Sequence, residues 1–375
     1  MKKNQITNIE VKKNNRNRIF RYICKKEKTS NPEISYDLKM SLPTVTQNTK
    51  ELIEKGLIQE VGELQSTGGR RAKALSVISN SKLAIGLDIT KNHVGILLTN
   101  LKGEIIKYER FNNPFKDEDN YYIEINKKIK DFLSEIVKND KNILGMGISF
   151  PGIINLEKEM VSYSHMLGLK ALPFNSISKF FSYPCYFIND ANAGAYAEGI
   201  NKEQKDEFFY LSLSNTVGGA IFNSNELIYG KNYRSGEVGH MTIVPNGINC
   251  YCGKSGCLDA YCSAKRLSDI TDGNLDLFFK RLENNDKNIK EVWDDYTTYL
   301  SIAINNINMI LDCDVIIGGY VGSFIEPHID SIKKKVAKRN TFSDDSSFIK
   351  NCSYKVATAA LGAALNVIEK FIKQV

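Results

Sequence analysis

The chain has 375 residues, 42% of them hydrophobic and 25% charged, an ordinary globular balance with room for two or three cores. No apolar run approaches the roughly 20 residues that span a bilayer, and the polar opening Met1-Lys2-Lys3-Asn4-Gln5 leads into no apolar signal segment. The expectation is therefore a cytoplasmic chain with no membrane partner.

The net charge of +7 is unevenly spread. Residues 1–80 carry sixteen Lys/Arg against eight Asp/Glu, and the remainder carries 34 against 35. A basic first fifth suits a module that meets a polyanion, because neutralised phosphates release counterions; a merely solvated basic terminus is the alternative. Four of the eight cysteines crowd into residues 250–262, which without a secretory signal argues for metal or redox chemistry before disulfides. Cys24, Cys185, Cys313 and Cys352 are scattered beside apolar neighbours and read as core residues.

From Asn15 to Lys28, Ile19, Phe20, Ile23 and Cys24 form an apolar stripe at helical spacing. A short second helix follows, with Asn31 as cap, Pro32 in its first turn, and Ile34 and Leu38 facing inward. A third helix starts at Ser41 with Pro43 in its first turn, buries Val45, Leu52 and Ile53, and ends at Gly56. This order is a helix-turn-helix, although Lys39 stands at the turn where glycine is common. Pro43, Thr44, Thr46, Gln47 and Lys50 on the last helix suit base edges and phosphates of operator DNA in a major groove. Two strands, 57–61 and 74–78, then flank Gly68-Gly69-Arg70-Arg71, a wing whose Arg70 and Arg71 would reach a minor groove or backbone phosphates.

At Lys82 the texture changes. Leu83–Ile89, Val94–Leu98 and Gly103–Tyr108 predict a β-meander, 143–152 a buried strand running into a loop, 122–137 a helix, and 185–188 another strand. Strands alternating with helices indicate an α/β architecture, and strand-turn-strand recurs at 83–98 and 208–222, so two related lobes with a cleft between them are expected. The expected division is 1–78 for the winged helix-turn-helix, 79–192 with 358–375 for the first lobe, and 193–357 for the second.

Three segments then occur in order: Asn189-Asp190-Ala191-Asn192-Ala193, Gly236-Glu237-Val238-Gly239-His240, and Cys250-Tyr251-Cys252-Gly253-Lys254-Ser255-Gly256-Cys257-Leu258-Asp259. Together they resemble the successive signatures of the ROK family of repressors and sugar kinases. With the N-terminal module, the chain is most similar to the family's xylose-repressor type. The resemblance implies a two-lobed, actin-like sugar-kinase fold of the ribonuclease H-like class. It also implies a repressor released or modulated by a sugar such as xylose.

The pattern C-x-C-x4-C with a histidine ten residues upstream supplies four ligands for structural Zn2+: His240, Cys250, Cys252 and Cys257, with Cys262 outside the motif. The resemblance implies the same set. A sugar displays hydroxyls that both donate and accept, so its site needs carboxylates and amides on rigid loops; Asn189, Asp190, Glu237 and His240 fit. By resemblance these positions and Asp259 contact the sugar, Asp259 standing where the family usually has glutamate.

In kinase members the aspartate matching Asp190 is the base for phosphoryl transfer. That chemistry also needs glycine-rich phosphate cradles. Thr90-Lys91-Asn92 stands where Gly-Gly-Thr is expected, and Ser214-Asn215-Thr216 where Gly-Thr-Gly is expected, so catalysis is not expected. Around His165-Met166-Leu167-Gly168-Leu169 the family's asparagine and tryptophan are missing. The expectation is a non-enzymatic, sugar-responsive repressor, a homodimer or homotetramer on a palindromic operator. The alternatives are an ATP-dependent sugar kinase carrying a DNA-binding arm and a repressor answering to a partner protein.

Overall fold

The computed structural model describes residues 8–64, 71–137, 140–200, 207–342 and 344–375. Helices α1 (Asn8–Lys25), α2 (Asn31–Leu38) and α3 (Leu42–Glu54) precede strands β1 (Ile58–Glu63) and β2 (Lys73–Val77). The strands pair antiparallel, with Ile58 opposite Val77, and Thr29 bridges to Leu75 at the edge. Ile19, Phe20, Ile23, Ile34, Val45 and Leu52 are fully buried and form one core; removing that much apolar surface from water is what holds so short a unit together.

Two expectations are corrected in this unit. The cap of α2 is Ser30, extended at φ −139° and accepting from the Glu33 amide, because Asn31 already lies in the first turn. Asn31 instead accepts from Thr49 Oγ1 at 3.0 Å and so ties α2 to α3. Ile53 is 37% exposed, one position off the buried stripe set by Val45 and Leu52. Lys39 adopts the left-handed conformation (φ 53°, ψ 47°) that the missing glycine would have supplied.

The rest of the chain builds two sheets to one plan. In the first, β3 (Leu83–Ile89), β4 (His93–Asn100) and β5 (Ile105–Asn112) form an antiparallel meander; α4 (Asp119–Ser134) and β6 (Ile143–Phe150) follow. A small sheet of β7 (Ile153–Asn155), β8 (Met160–Ser164) and β9 (Leu169–Pro173), with the short α5 (Phe174–Ser178), leads to β10 (Cys185–Asn189) and α6 (Asp190–Ile200). The strand order is β10-β6-β3-β4-β5, with β6 parallel to β3 and β10 parallel to β6.

In the second sheet, β11 (Phe208–Leu213), β12 (Val217–Asn223) and β13 (Glu226–Ile228) repeat the meander. The short α7 (Asp259–Cys262) and α8 (Ala264–Ser268), then α9 (Leu275–Glu283) and α10 (Lys287–Leu311), precede β14 (Asp314–Gly318). After it come α11 (Gly319–Gly322), α12 (Ile329–Ala337) and β15 (Ile349–Asn351). The order β13-β12-β11-β14-β15 matches the first sheet strand for strand, with β14 and β15 the parallel additions. Apolar strand runs buried on both faces require helices on both sides.

Between the sheets lie α6 and α13 (Thr358–Ile372). The latter packs on α6, β3 and β6, while α6 also packs on β11 and β12; α6 itself runs across position 192. The approach is close enough to demand glycine: a Cβ on Gly362 would stand 1.8 Å from the Ala193 carbonyl oxygen. No helix among the described residues is long and apolar enough to cross a membrane.

Candidate functional site

Three groups of residues carry chemistry, and the first is the outer face of α3. Ser41 caps that helix by accepting from the Thr44 amide. Pro43, Thr46, Gln47 and Lys50 are exposed, whereas Thr44 is half-buried and spends its hydroxyl on Ser41 Oγ at 2.8 Å. Four of the five expected base readers on this helix thus share an open surface, and Thr44 belongs to the cap. Leu42, 47% exposed in the first turn, joins that surface; an apolar residue beside a cap gave no periodic signal. Arg71 is exposed, 3.9 Å from Glu63, and Arg70 lies outside the described residues.

The second group is the loop after β13. Thr242 bridges to Cys257 and Asn249 to Ser255, which folds residues 242–257 back on themselves. Gly256 has φ +78°, and a Cβ there would meet the Val244 carbonyl oxygen at 1.8 Å. The result gathers one ligand atom each from His240, Cys250, Cys252 and Cys257 within 4.8 Å of one another. Cys252 Sγ and Cys257 Sγ are 3.8 Å apart, and Cys250 Sγ is 3.9 Å from His240 Nδ1. With metal–thiolate bonds of about 2.3 Å, the sulfur–sulfur edge of a tetrahedron is about 3.8 Å, so the donor set and its spacing fit a tetrahedral ion. Cys262 is fully buried away from this set, with its thiol directed at the Tyr296 carbonyl.

The third group lines a cleft of about 910 Å³ between the two lobes, and Asn189, Asp190, Glu237 and His240 all reach it. Parallel pairing of β10 with β6 sets Asn189 opposite Phe150 at the ends of both strands, the position where open α/β sheets present ligand-binding groups. Asn189 is heavily engaged in structure: Nδ2 donates to the Gly152 carbonyl at 3.0 Å and to Asp190 Oδ1 at 2.9 Å, and Oδ1 accepts from the Asn192 amide. One of these bonds holds the Asp190 carboxyl in place. The Asp190 carboxyl is pushed up to about 7, first by burial, then by the charges of Asp88 and Glu237, against the Ala191 amide that stabilises the anion. Asp88, which accepts from Ser149 Oγ at 2.8 Å, is likewise raised by burial.

Asp259 is not on the cleft wall. It is 4% exposed, and its Oδ2 accepts from the Val217 amide at 2.6 Å. Tyr251 also hydrogen-bonds it, and burial raises its carboxyl to about 6. The shorter side chain is held behind the wall by β12, and Tyr251 occupies the wall in its place. His165, His240 and Tyr251 form a three-ring surface with centroids 5.6 to 5.7 Å apart. Sequence reasoning did not find Tyr251, although its place between two ligand cysteines was the available signal. In the turn Thr90-Lys91-Asn92, Thr90 Oγ1 accepts from the His93 amide and closes the turn on itself. The Ala264 amide donates to the Ser214 carbonyl at 2.7 Å, at the start of Ser214-Asn215-Thr216.

The model of the ROK family matches residues 84–370, and that of a winged helix-turn-helix DNA-binding domain matches 13–59. A xylose repressor of Bacillus subtilis (strain 168) is 28% identical over 97% of both chains. Another, from Caldicellulosiruptor bescii, is 33% identical over 69% of this chain and 66% of its own. The DNA-binding transcriptional dual regulator NagC of Escherichia coli (strain K12) is 25% identical over 68% of this chain and 64% of its own. Among solved structures, a ROK family transcriptional regulator homologous to the E. coli MLC protein superposes with a TM-score of 0.75 at 21% identity, covering 97% of both chains. A ROK family glucokinase from Streptomyces griseus in complex with glucose and AMPPNP reaches 0.65 at 20% identity, over 76% of this chain and 98% of its own. With a winged helix-turn-helix in front of a two-lobed, actin-like sugar-kinase fold, the chain belongs to the ROK family.

Proposed function

We propose that this protein is a sugar-responsive transcriptional repressor that binds operator DNA through α3 and the β1–β2 wing. The observation that carries the reading is a continuous mechanical path. The cleft is floored by Asp190 at the start of α6, α6 packs on α13, and the end of α13 is tied to the DNA-reading unit. Arg16 Nε and Lys55 Nζ donate to the Val375 carbonyl at 2.5 and 3.1 Å, Asn17 Nδ2 donates to the Lys373 carbonyl at 3.2 Å, and the Arg21 guanidinium grips both oxygens of Glu369. A sugar that closes the cleft moves α6 and α13 and with them the readers; DNA affinity falls if sugar prefers the DNA-incompetent state.

In this reading 1–78 is the DNA-binding domain, 79–192 with 358–375 the first lobe, and 193–357 the second. Pro43, Thr46, Gln47, Lys50, Arg70 and Arg71 meet DNA. Asp190, Glu237 and His240 meet the sugar, Asn189 aims Asp190, and Asp259 acts from behind Tyr251. The tetrahedral site takes zinc through His240, Cys250, Cys252 and Cys257. Zinc supplies a structural staple there, and the His240 ring joins that staple to the cleft wall. The protein works in the cytoplasm as a homodimer or homotetramer on a two-fold operator. Xylose, named in the B. subtilis relative, is the first effector to test.

The test is fluorescence anisotropy of the full chain on DNA from upstream of its own gene, titrated with a sugar panel. A sugar-dependent change in affinity is expected, and no change with any pentose, hexose or amino sugar overturns the induction claim. The second reading, a working sugar kinase, is favoured by the Asp190–Asp88 pair and opposed by the self-closed Thr90 turn. Sugar-dependent ADP release from ATP would establish it.

A further inference from the structure

Away from the cleft, one pair of side chains bridges the two lobes. Arg110 stands on β5, the edge strand of the first sheet. Register sets Asp88 opposite Gly95 and Gly95 opposite Arg110, so the three form one row on one face of that sheet. From the end of this row Arg110 Nη2 donates to the Tyr320 hydroxyl at 3.0 Å, with the guanidinium carbon 5.3 Å from the centre of the Tyr320 ring.

Tyr320 belongs to the second lobe, on α11 directly after β14. Its approach to Arg110 is fixed by the turn before it. Gly319 has φ +75°, a Cβ there would stand 2.6 Å from the Leu213 amide nitrogen, and its own amide donates to the buried Tyr210 hydroxyl at 3.2 Å. The turn is therefore packed hard against β11 and presents Tyr320 from a rigid base.

The same short helix is fastened to the entry of α13. Ser323 Oγ donates to the Lys355 carbonyl at 2.6 Å, and Lys355 Nζ meets Glu326 at 2.7 Å. Ala357, left-handed at φ 58°, then caps the start of α13, whose far end holds the DNA-reading unit through Arg21 and Glu369. The Arg110–Tyr320 bond thus joins the edge of the first sheet, by way of α11, to the beginning of the helix that reaches the DNA readers. Neither residue lines the cleft. Rotation of one lobe against the other about α6 and α13 moves β5 against α11, and a separation of about 3.6 Å ends a hydrogen bond.

Resting on the reading of this protein as a sugar-responsive repressor, we propose that Arg110 and Tyr320 are positioning residues for the response: they latch the lobes in the arrangement described and part in the other. Sugar and DNA prefer different arrangements in that reading, so weakening the latch favours one ligand at the expense of the other. Neither residue has to touch sugar, metal or DNA for this.

The test is a double-mutant cycle on the full chain with Arg110→Gln, Tyr320→Phe and the two together. Fluorescence anisotropy on DNA from upstream of its own gene gives the DNA affinity. Titration of that complex with xylose, glucose, N-acetylglucosamine and further pentoses, hexoses and amino sugars gives the sugar concentration of half effect. Each single change is expected to shift DNA affinity by about two- to tenfold, the worth of one hydrogen bond. A weaker hold on DNA should come with sugar acting at lower concentration, and a tighter hold with sugar acting at higher. The double variant is expected to shift no further than the larger single one. The latch is overturned if both singles leave the two quantities at the parent's values, or if their effects add in the double variant. It is also overturned if DNA and sugar binding weaken together, the mark of a general loss of structure. A parent chain that binds DNA and ignores every sugar brings down the sugar-response reading and the latch with it, whereas a parent that responds, with variants that respond alike, removes the latch alone.

Discussion

Asp190 shows how one side chain can be aimed and destabilised together. Asn189 and the Ala191 amide fix it, while burial and the nearby Asp88 and Glu237 raise its carboxyl from 3.8 to about 7. A raised folded-state value in an acid means that the fold favours the protonated form. The cost of the charge is absent below about pH 4, grows as pH rises, and is complete above about 7. Asp190→Asn should therefore match the parent near pH 4 and exceed its stability by roughly 2–4 kcal/mol at pH 8; urea melts across that range measure the difference. Lys39 is a second residue under local constraint, exposed and left-handed at the end of α2. Lys39→Gly removes the clash of its Cβ with the backbone and should add about 0.5–1 kcal/mol in the same assay, an effect that vanishes if the turn is relaxed in solution.

At the scale of elements, α13 and the metal loop do most to connect the parts. The end of α13 meets the DNA-reading unit through the Arg21–Glu369 pair, in which the Glu369 side chain is only 11% exposed. Glu369→Gln leaves the Arg21 charge half-buried and poorly answered. It should weaken docking of α1 by about 1–3 kcal/mol, seen as faster hydrogen exchange in α1 with unchanged exchange in β3 and β6. The metal loop places Tyr251 and His240 on the cleft wall. Cys257→Ser, or chelation, should remove one metal equivalent per chain and abolish effector binding, read by metal analysis and calorimetry on the same sample. Retained effector binding after complete metal loss would show that the wall stands without its staple.

The whole molecule is two copies of one sheet plan with two helices between them, carrying a basic module tied to one of those helices. Its DNA affinity should fall steeply with salt, and Lys50→Ala should lower the slope of log affinity against log salt by about one per bound chain. If the slope is unchanged, Lys50 does not meet phosphate.

Much of this was legible in one sequence. Short apolar runs such as 83–89 and 208–213, bounded by turn residues, read as buried strands, and a four-ligand spacing within eighteen residues lets local chain geometry bring four candidate ligand atoms together. The stripe Ile19, Phe20 and Ile23 fixes which face of α1 is covered, because period and burial are set by neighbours along the chain. What the sequence could not decide was contact between segments far apart. Asp259 faces the Val217 amide instead of the cleft, Tyr251 takes its place on the wall, and Lys158 and Arg234 face one cavity from opposite lobes. Those outcomes depend on how two sheets and their loops pack in three dimensions, and no local periodicity or propensity encodes such a packing.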